Sequence, residues 1–241
     1  MNRKLIITKD GSHSISVPEL NVTYHSINGA IQESMHVFIE AGLRSMRPPH
    51  MSHPGAHAIE APSVFEMGFG TGLNALLTLI ESDKLQLPIH YTAIELFPLE
   101  AADIDSLNYC ELLVQPLYQP FFEKLHQSKW ETEIEISPFF HLHKTKADLI
   151  NYSTSQQFEL IYYDAFAPAA QPELWTRQIF EKLFKMMNDG GILVTYCSKG
   201  DVRRAMKSAG FAVEKISGPP GKREMIRARK PPGVANDISF A

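Results

Sequence analysis

Apolar and polar positions change rhythm along this chain, and each change marks an element. Leu5-Ile6-Ile7-Thr8 and Ser14-Ile15-Ser16-Val17 flank Asp10-Gly11, which predicts a hairpin over residues 3–20. A turn follows at Tyr24 to Gly29, and Ile31, Met35, Phe38 and Ile39 then recur at helical spacing. Arg47-Pro48-Pro49 to Pro54-Gly55 is loop chemistry. From residue 63 strands and helices alternate regularly. Strands are expected at 63–66, 89–94, within 130–143, at 158–163, 192–196, near 211–213 and at 224–228. Helices are expected at 72–82, near 98–108, 110–126 and 146–152, then at 172–187 and 200–208. Strands separated by helices predict an α/β fold with a doubly wound, mainly parallel, Rossmann-like sheet. The expected division is a hairpin-and-helix extension over 1–60 packed on the core, the layered core over 61–230, and a tail over 231–241.

Composition adds little until charge is localised. The 241 residues are 44% hydrophobic and 21% charged, ordinary for one α/β domain with small additions. No apolar run is long enough to span a membrane, and the first ten residues carry too short a run for a signal peptide, so a cytoplasmic protein is expected. Cys110 and Cys197 stand far apart and make neither a disulfide scaffold nor a metal set. Net charge is −4, against nonspecific nucleic-acid binding, yet residues 199–230 hold ten Lys/Arg and three Asp/Glu. That stretch is therefore +7 and the remainder −11, the pattern of a phosphate footprint or of a solvated charged face.

The candidate chemistry begins at Glu66-Met67-Gly68-Phe69-Gly70-Thr71-Gly72-Leu73-Asn74. An apolar strand ends in an acid, then three glycines alternate, then a helix begins. Glycine lets the backbone turn with positive φ and lets a ligand approach closely. The dinucleotide fingerprint spaces its third glycine differently, and Glu66 is a poor neighbour for a pyrophosphate. A ligand with a cationic amine suits it, and S-adenosylmethionine carries one beside its sulfonium. Glu66 either meets that amine through water or only pins the turn.

Two more acids close predicted strands. Glu95, 23 residues after Gly72, stands where nucleotide folds hold ribose hydroxyls. Asp164 opens Asp164-Ala165-Phe166-Ala167-Pro168: a carboxylate, a ring and a rigid, carbonyl-presenting proline. Methyl transfer from a sulfonium is an in-line displacement that needs a positioned nitrogen with a free lone pair. Asp164 is suited to orient such an amine while Phe166 packs against the acceptor; the alternative is a loop acid and a core ring. Asp148, before a predicted helix, is either its N-cap or the acceptor for an adenine amino group. His50, His53 and His57 share one loop, and His141 and His143 alternate on a strand, but nothing completes a zinc set, so no metal is expected. Trp130 and Trp175 read as packing residues and Cys197 as buried.

At this point the residues resemble a family. The 66–74 motif is similar to the S-adenosylmethionine motif of the methyltransferase part of MnmC, the bifunctional tRNA wobble-uridine enzyme, and of its stand-alone MnmD relatives. Three further segments agree in the same order: Tyr24 to Phe38, Asp164 to Pro168 with Trp175, and Gly218-Pro219-Pro220-Gly221-Lys222-Arg223-Glu224-Met225. The resemblance implies that 61–230 is a methyltransferase domain. It implies methylation of 5-aminomethyl-2-thiouridine in a tRNA anticodon stem-loop, giving 5-methylaminomethyl-2-thiouridine. Within the matching motifs, Glu66, Gly68, Phe69, Gly70, Gly72, Asn74, Glu95, Asp148 and Asp164 are the expected cofactor residues. Asp164, Phe166 and Pro168 are the expected catalytic set. Asn28, Gln32 and Glu33 would form one wall of the acceptor entrance and Lys222 with Arg223 the other. The bifunctional form carries an FAD domain that makes the amine; a chain of this length is expected to lack it, to bind no FAD, and to depend on a separate enzyme for its substrate. Rival readings are a methyl or aminopropyl transferase acting on a small amine, a non-catalytic RNA- or protein-binding module, and, disfavoured, a nicotinamide dehydrogenase.

Overall fold

A computed structural model describes residues 2–46 and 61–233. The N-terminal part is a three-stranded antiparallel sheet of β1 (Lys4–Ile7), β2 (His13–Val17) and β3 (Val22–Thr23). The predicted hairpin is present; the short third strand follows Asn21, whose φ of 51° turns the chain back. After α1 (Ala30–Ser34) the helix widens into a π-turn over Met35–Glu40, with Ala41 N–H reaching His36 O. Val37, Phe38 and Ile39 in this wider turn are all buried.

The core runs β4 (Ser63–Met67), α2 (Leu73–Leu85), β5 (Ile89–Ile94), α3 (Ala101–Asp105), α4 (Tyr109–Leu112), α5 (Gln119–Gln127), β6 (Glu133–Ser137) and β7 (Phe140–Thr145). It continues through β8 (Phe158–Tyr163), α6 (Arg177–Lys185), β9 (Met187–Thr195), α7 (Gly200–Ser208), β10 (Ala212–Ser217) and β11 (Glu224–Arg229). The eight-stranded sheet has the order β10-β11-β9-β8-β4-β5-β7-β6. The five inner strands β9, β8, β4, β5 and β7 are parallel; β6, β11 and β10 are antiparallel to their neighbours. The chain leaves β4 for β5 on one side and later returns to β8 on the other, so the switch point lies at β4.

Alternation decides which face each residue serves. Val64, Leu160, Tyr162 and Val194 pack with Phe38, Leu76 and Leu79 on one face. Phe65, Ile161, Tyr163 and Leu193 pack with Phe180, Leu183 and Met206 on the other. Both faces are covered, which is why these strands are apolar throughout.

Some predicted stretches are divided or absent. The stretch 98–126 is three short helices and a 3₁₀ turn at Pro116–Tyr118, since Leu107-Asn108 and Pro116 interrupt it. Residues 130–143 hold a hairpin, β6 and β7. Residues 172–187 divide into a 3₁₀ turn at Pro172–Trp175 and α6, with extended Thr176 capping α6 through its side chain. No helix forms at 146–152. Among the described residues no helix is long and apolar enough to cross a membrane.

Candidate active site

The ends of β4, β5 and β8 meet at the switch point, where open α/β sheets bind ligands. Gly68, Gly70 and Gly72 have φ of +89°, +51° and +71° and carry the chain from β4 into α2. A Cβ on Gly70 would stand 2.9 Å from a ring carbon of Tyr24, so this position needs glycine for space as well as for φ. The backbone N–H groups of Gly68 and Phe69 both donate to Ile94 O at 3.1 Å. Glu95 Oε2 accepts from Gly70 N–H at 3.0 Å and its Oε1 from Phe97 N–H at 2.9 Å. Glu95 thus ties the loop to the end of β5, and each oxygen keeps a lone pair for another donor.

Two imidazoles hold the loop from behind, and sequence reasoning missed both. His25 Nε2 lies 2.7 Å from Thr71 Oγ1, and His126 Nε2–H donates to Thr71 O at 3.1 Å. Burial holds both rings down to about 4, so they are neutral hydrogen-bonding groups at pH 7. Lys144, buried on β7, donates to Leu125 O and His126 O at 2.7 Å each and lies near the faces of Phe69 and Trp130. Burial lowers it to about 8.

Beneath the loop Asn74 joins two carboxyl groups. Its Nδ2 donates to Glu66 Oε1 at 2.9 Å and to Asp164 Oδ2 at 3.0 Å, while its own Oδ1 is buried with no hydrogen-bond partner. Glu66 is 1% exposed, and burial pushes its carboxyl well above the usual range; the Asn74 amide and the Tyr91 hydroxyl oppose that push. Asp164 is pushed up to about 7, chiefly by burial and then by the Glu33 charge, against Asn74 and Lys222.

Two cavities flank Asp164–Pro168. The first, about 360 Å³, is lined by Gly68, Phe69, Gly70, Asn74, Glu95 and Asp148, with Asp164, Phe166 and Tyr24 closing it. Leu20, Leu96, Phe97 and Ile150 supply exposed apolar walls. Glu66 and Gly72 are not part of this lining; Glu66 reaches it through Asn74. Phe166 is held by its carbonyl, which accepts from Trp175 Nε1–H at 2.8 Å, and by an edge contact with Tyr24 at 5.4 Å. Asp148 caps no helix: its Oδ1 accepts from Asn151 N–H at 2.9 Å and its Oδ2 from the Asn151 amide at 2.8 Å, a tight turn that competes successfully with helix formation.

The second cavity, about 320 Å³, is lined by Pro168, Tyr196, Cys197, Lys199, Lys222 and Arg223, among others. Sequence reading set the N-terminal residues across a gap from the 218–223 loop; instead the two touch. Glu33 pairs with Lys222, a Cβ on Gly221 would strike Asn28, and Ser217 O lies 2.8 Å from His36 Nε2. Asn28 Oδ1 accepts from Lys9 Nζ at 2.8 Å, and Gln32 N–H donates to Asp10. None of Asn28, Gln32 and Glu33 lines either cavity. In the basic segment Arg204, Lys215 and Arg227 pair with acids of the same segment, and Lys222 and Lys230 pair with Glu33 and Asp189 outside it, which partly neutralises the +7. Cys110 and Cys197 are buried thiols. His50, His53 and His57 lie outside the described residues; elsewhere no group of three metal-ligating side chains gathers.

A family model described as S-adenosyl-L-methionine-dependent methyltransferase matches residues 111–231, half of the chain, a span that includes Asp148, Asp164 and the 218–225 segment. The fold is similar to that of MNMC2 from Aquifex aeolicus, at 22% identity and a TM-score of 0.74 over 95% of this chain and 70% of that one. It is also similar to spermidine synthase from Thermotoga maritima, at 13% identity and 0.52 over 99% of this chain and 72% of that one. These two likenesses bear out the layered fold, and the family match bears out the resemblance read from the sequence.

Proposed function

We propose, for a chain that belongs to the S-adenosyl-L-methionine-dependent methyltransferase family, methyl transfer to the aminomethyl nitrogen of 5-aminomethyl-2-thiouridine at the tRNA wobble position. The observation that carries this reading is the two-sided segment Asp164–Pro168. Asp164 and Phe166 line the first cavity and Pro168 the second, so a donor in one and an acceptor in the other would meet across this short segment.

The first cavity fits S-adenosylmethionine. Asn74 Oδ1 is a buried acceptor without a partner, suited to a cationic amine. Glu95 retains acceptor capacity for ribose hydroxyls, Asp148 for an adenine amino group, and Leu96, Phe97 and Ile150 offer apolar surface to a base. The alternating glycines and Phe69 bring backbone to the ligand. When bound, S-adenosylmethionine supplies an electrophilic methyl group on a sulfonium. The chain must then present a nitrogen with its lone pair free. Asp164 orients that amine and accepts its proton; a carboxyl near 7 exchanges protons readily at neutral pH. Phe166 and Pro168 bound the acceptor's approach.

A tRNA acceptor is supported by the resemblance over four segments and by Lys199 and Arg223 on the second cavity. An anticodon loop offers splayed bases and phosphates, read by cations and shape. A separate enzyme would supply the aminomethyl group in the cytoplasm, and this reading uses neither FAD nor metal. Mass spectrometry of nucleosides from hypomodified tRNA incubated with protein and S-adenosylmethionine tests the reading. One added methyl on 5-aminomethyl-2-thiouridine is expected; unchanged nucleosides, with a small amine methylated instead, would overturn it.

A further inference from the structure

We propose that Glu33 is a positioning residue for the transfer: it holds Lys222 against the Tyr196 ring, and this pair fixes the charge that faces Asp164 at the acceptor end of the site. The inference rests on the amine-acceptor reading above and assigns Glu33 a role other than touching substrate.

The geometry is closed on every side. Glu33 lies on α1 and is buried, and both of its oxygens are engaged. Oε2 takes the Lys222 ammonium and Oε1 accepts from Ser26 N–H at 3.1 Å. Lys222 Nζ stands 3.9 Å from the centroid of the Tyr196 ring. Tyr196 in turn donates its hydroxyl to Ala165 O at 2.8 Å, one residue beyond Asp164. The chain of contacts therefore runs from α1 through the β10–β11 loop and the end of β9 to the segment that separates the two cavities. Asn28 packed on Gly221 and His36 on Ser217 O dock the same loop at two more points, so Lys222 has one place to stand.

A fixed ammonium on the wall of the acceptor cavity has a chemical consequence. An alkyl amine entering as its ammonium form meets a like charge; entering as the free base, it does not. The wall thus favours the nucleophilic form. Glu33 keeps the ammonium in place and moderates it, so Asp164 is neither stripped of its proton nor locked to Lys222. The groups facing Asp164 are Glu66 from β4, Asn74 from α2, Tyr91 from β5, Tyr196 after β9, Glu33 from α1 and Lys222 from the β10–β11 loop. Of these, Glu33 raises and Lys222 lowers the Asp164 carboxyl. Removing one or the other must move it in opposite directions.

The test is a pH titration of protein labelled with ¹³C-carboxyl aspartate, the Asp164 signal assigned by its loss in Asp164→Asn. It is run for wild type, Glu33→Gln, Lys222→Met and the double variant. Glu33→Gln is expected to titrate at lower pH, Lys222→Met at higher pH, and the double variant near wild type. The acid limb of kcat/KM for hypomodified tRNA is expected to follow the same order, with kcat about tenfold lower in both single variants, S-adenosylmethionine affinity within twofold of wild type, and Glu33→Asp largely restored. Shifts of the same sign, or an Asp164 signal that moves in neither variant, would overturn the inference. The titration needs no acceptor, so a protein that methylates no tRNA but shows opposed shifts refutes the functional reading alone.

Discussion

The two cavities beside Asp164 are built in different ways. The first is made of backbone: alternating glycines, main-chain N–H groups on Glu95, and a loop gripped by two neutral imidazoles. The second is made of side chains brought from distant stretches, with Lys222 and its partner Glu33 separated by 189 positions. A cavity of backbone is rigid and suits one invariant ligand. Lys222 is pinned, but Lys199 and Arg223, without ion pairs among the described residues, leave that wall adjustable, which on the proposed reading suits a polyanion.

The largest effect is expected in the segment between the cavities, at Asp164. Asp164→Asn keeps the shape and the Asn74 contact but cannot take a proton, so kcat should fall by roughly 10²–10⁴ while S-adenosylmethionine still binds. Calorimetry of cofactor binding beside single-turnover rates separates these; loss of cofactor affinity would reassign Asp164 from proton transfer to cofactor binding. The same carboxyl sets a pH signature. Below about 7 it carries its proton and cannot serve as base, so kcat/KM should fall about tenfold per pH unit on the acid side, a limb that Asp164→Asn removes. Next is the backbone cavity. Gly70→Ala meets Tyr24 and adopts a φ disfavoured by about 1–2 kcal/mol, so the cofactor Kd should rise about tenfold or more, with tRNA affinity unchanged by gel shift. The smallest effect belongs to the adjustable side. Lys199→Ala with Arg223→Ala should raise KM for tRNA several-fold and flatten its salt dependence by roughly one to one and a half, leaving cofactor affinity alone. A change in cofactor affinity instead would erase the contrast between the cavities.

The same contrast explains what was legible. The glycine turn, Glu95 and Asp164 could be read because strand, turn and acid are neighbours in sequence. Of the two readings of Asp148 the helix cap fails, because the choice between a cap and an isolated turn depends on Asn151, which turns the same local hydrogen bonds to another use. The braces on Thr71 reach across 46 and 55 positions, and nothing in the local pattern of His25 or His126 announces them. The basic segment was legible as composition only. Its pairing with Asp189, Asp201, Glu214, Glu224 and Glu33 needed three dimensions, and that pairing leaves Lys199 and Arg223 on the cavity wall without an ion pair among the described residues.

The Thr71 brace also bears on how this chain can be cut. A fragment beginning at the first core strand would retain the whole eight-stranded sheet and still lose His25 behind the glycine loop and Tyr24 above it. Such a trimmed protein would also bare the sheet face on which Val37, Phe38 and Ile39 pack, and its pouch would be open and slack. On the proposed reading, the Tyr24-His25 segment that follows the small sheet belongs to the cofactor holder, and any minimal version must start ahead of it.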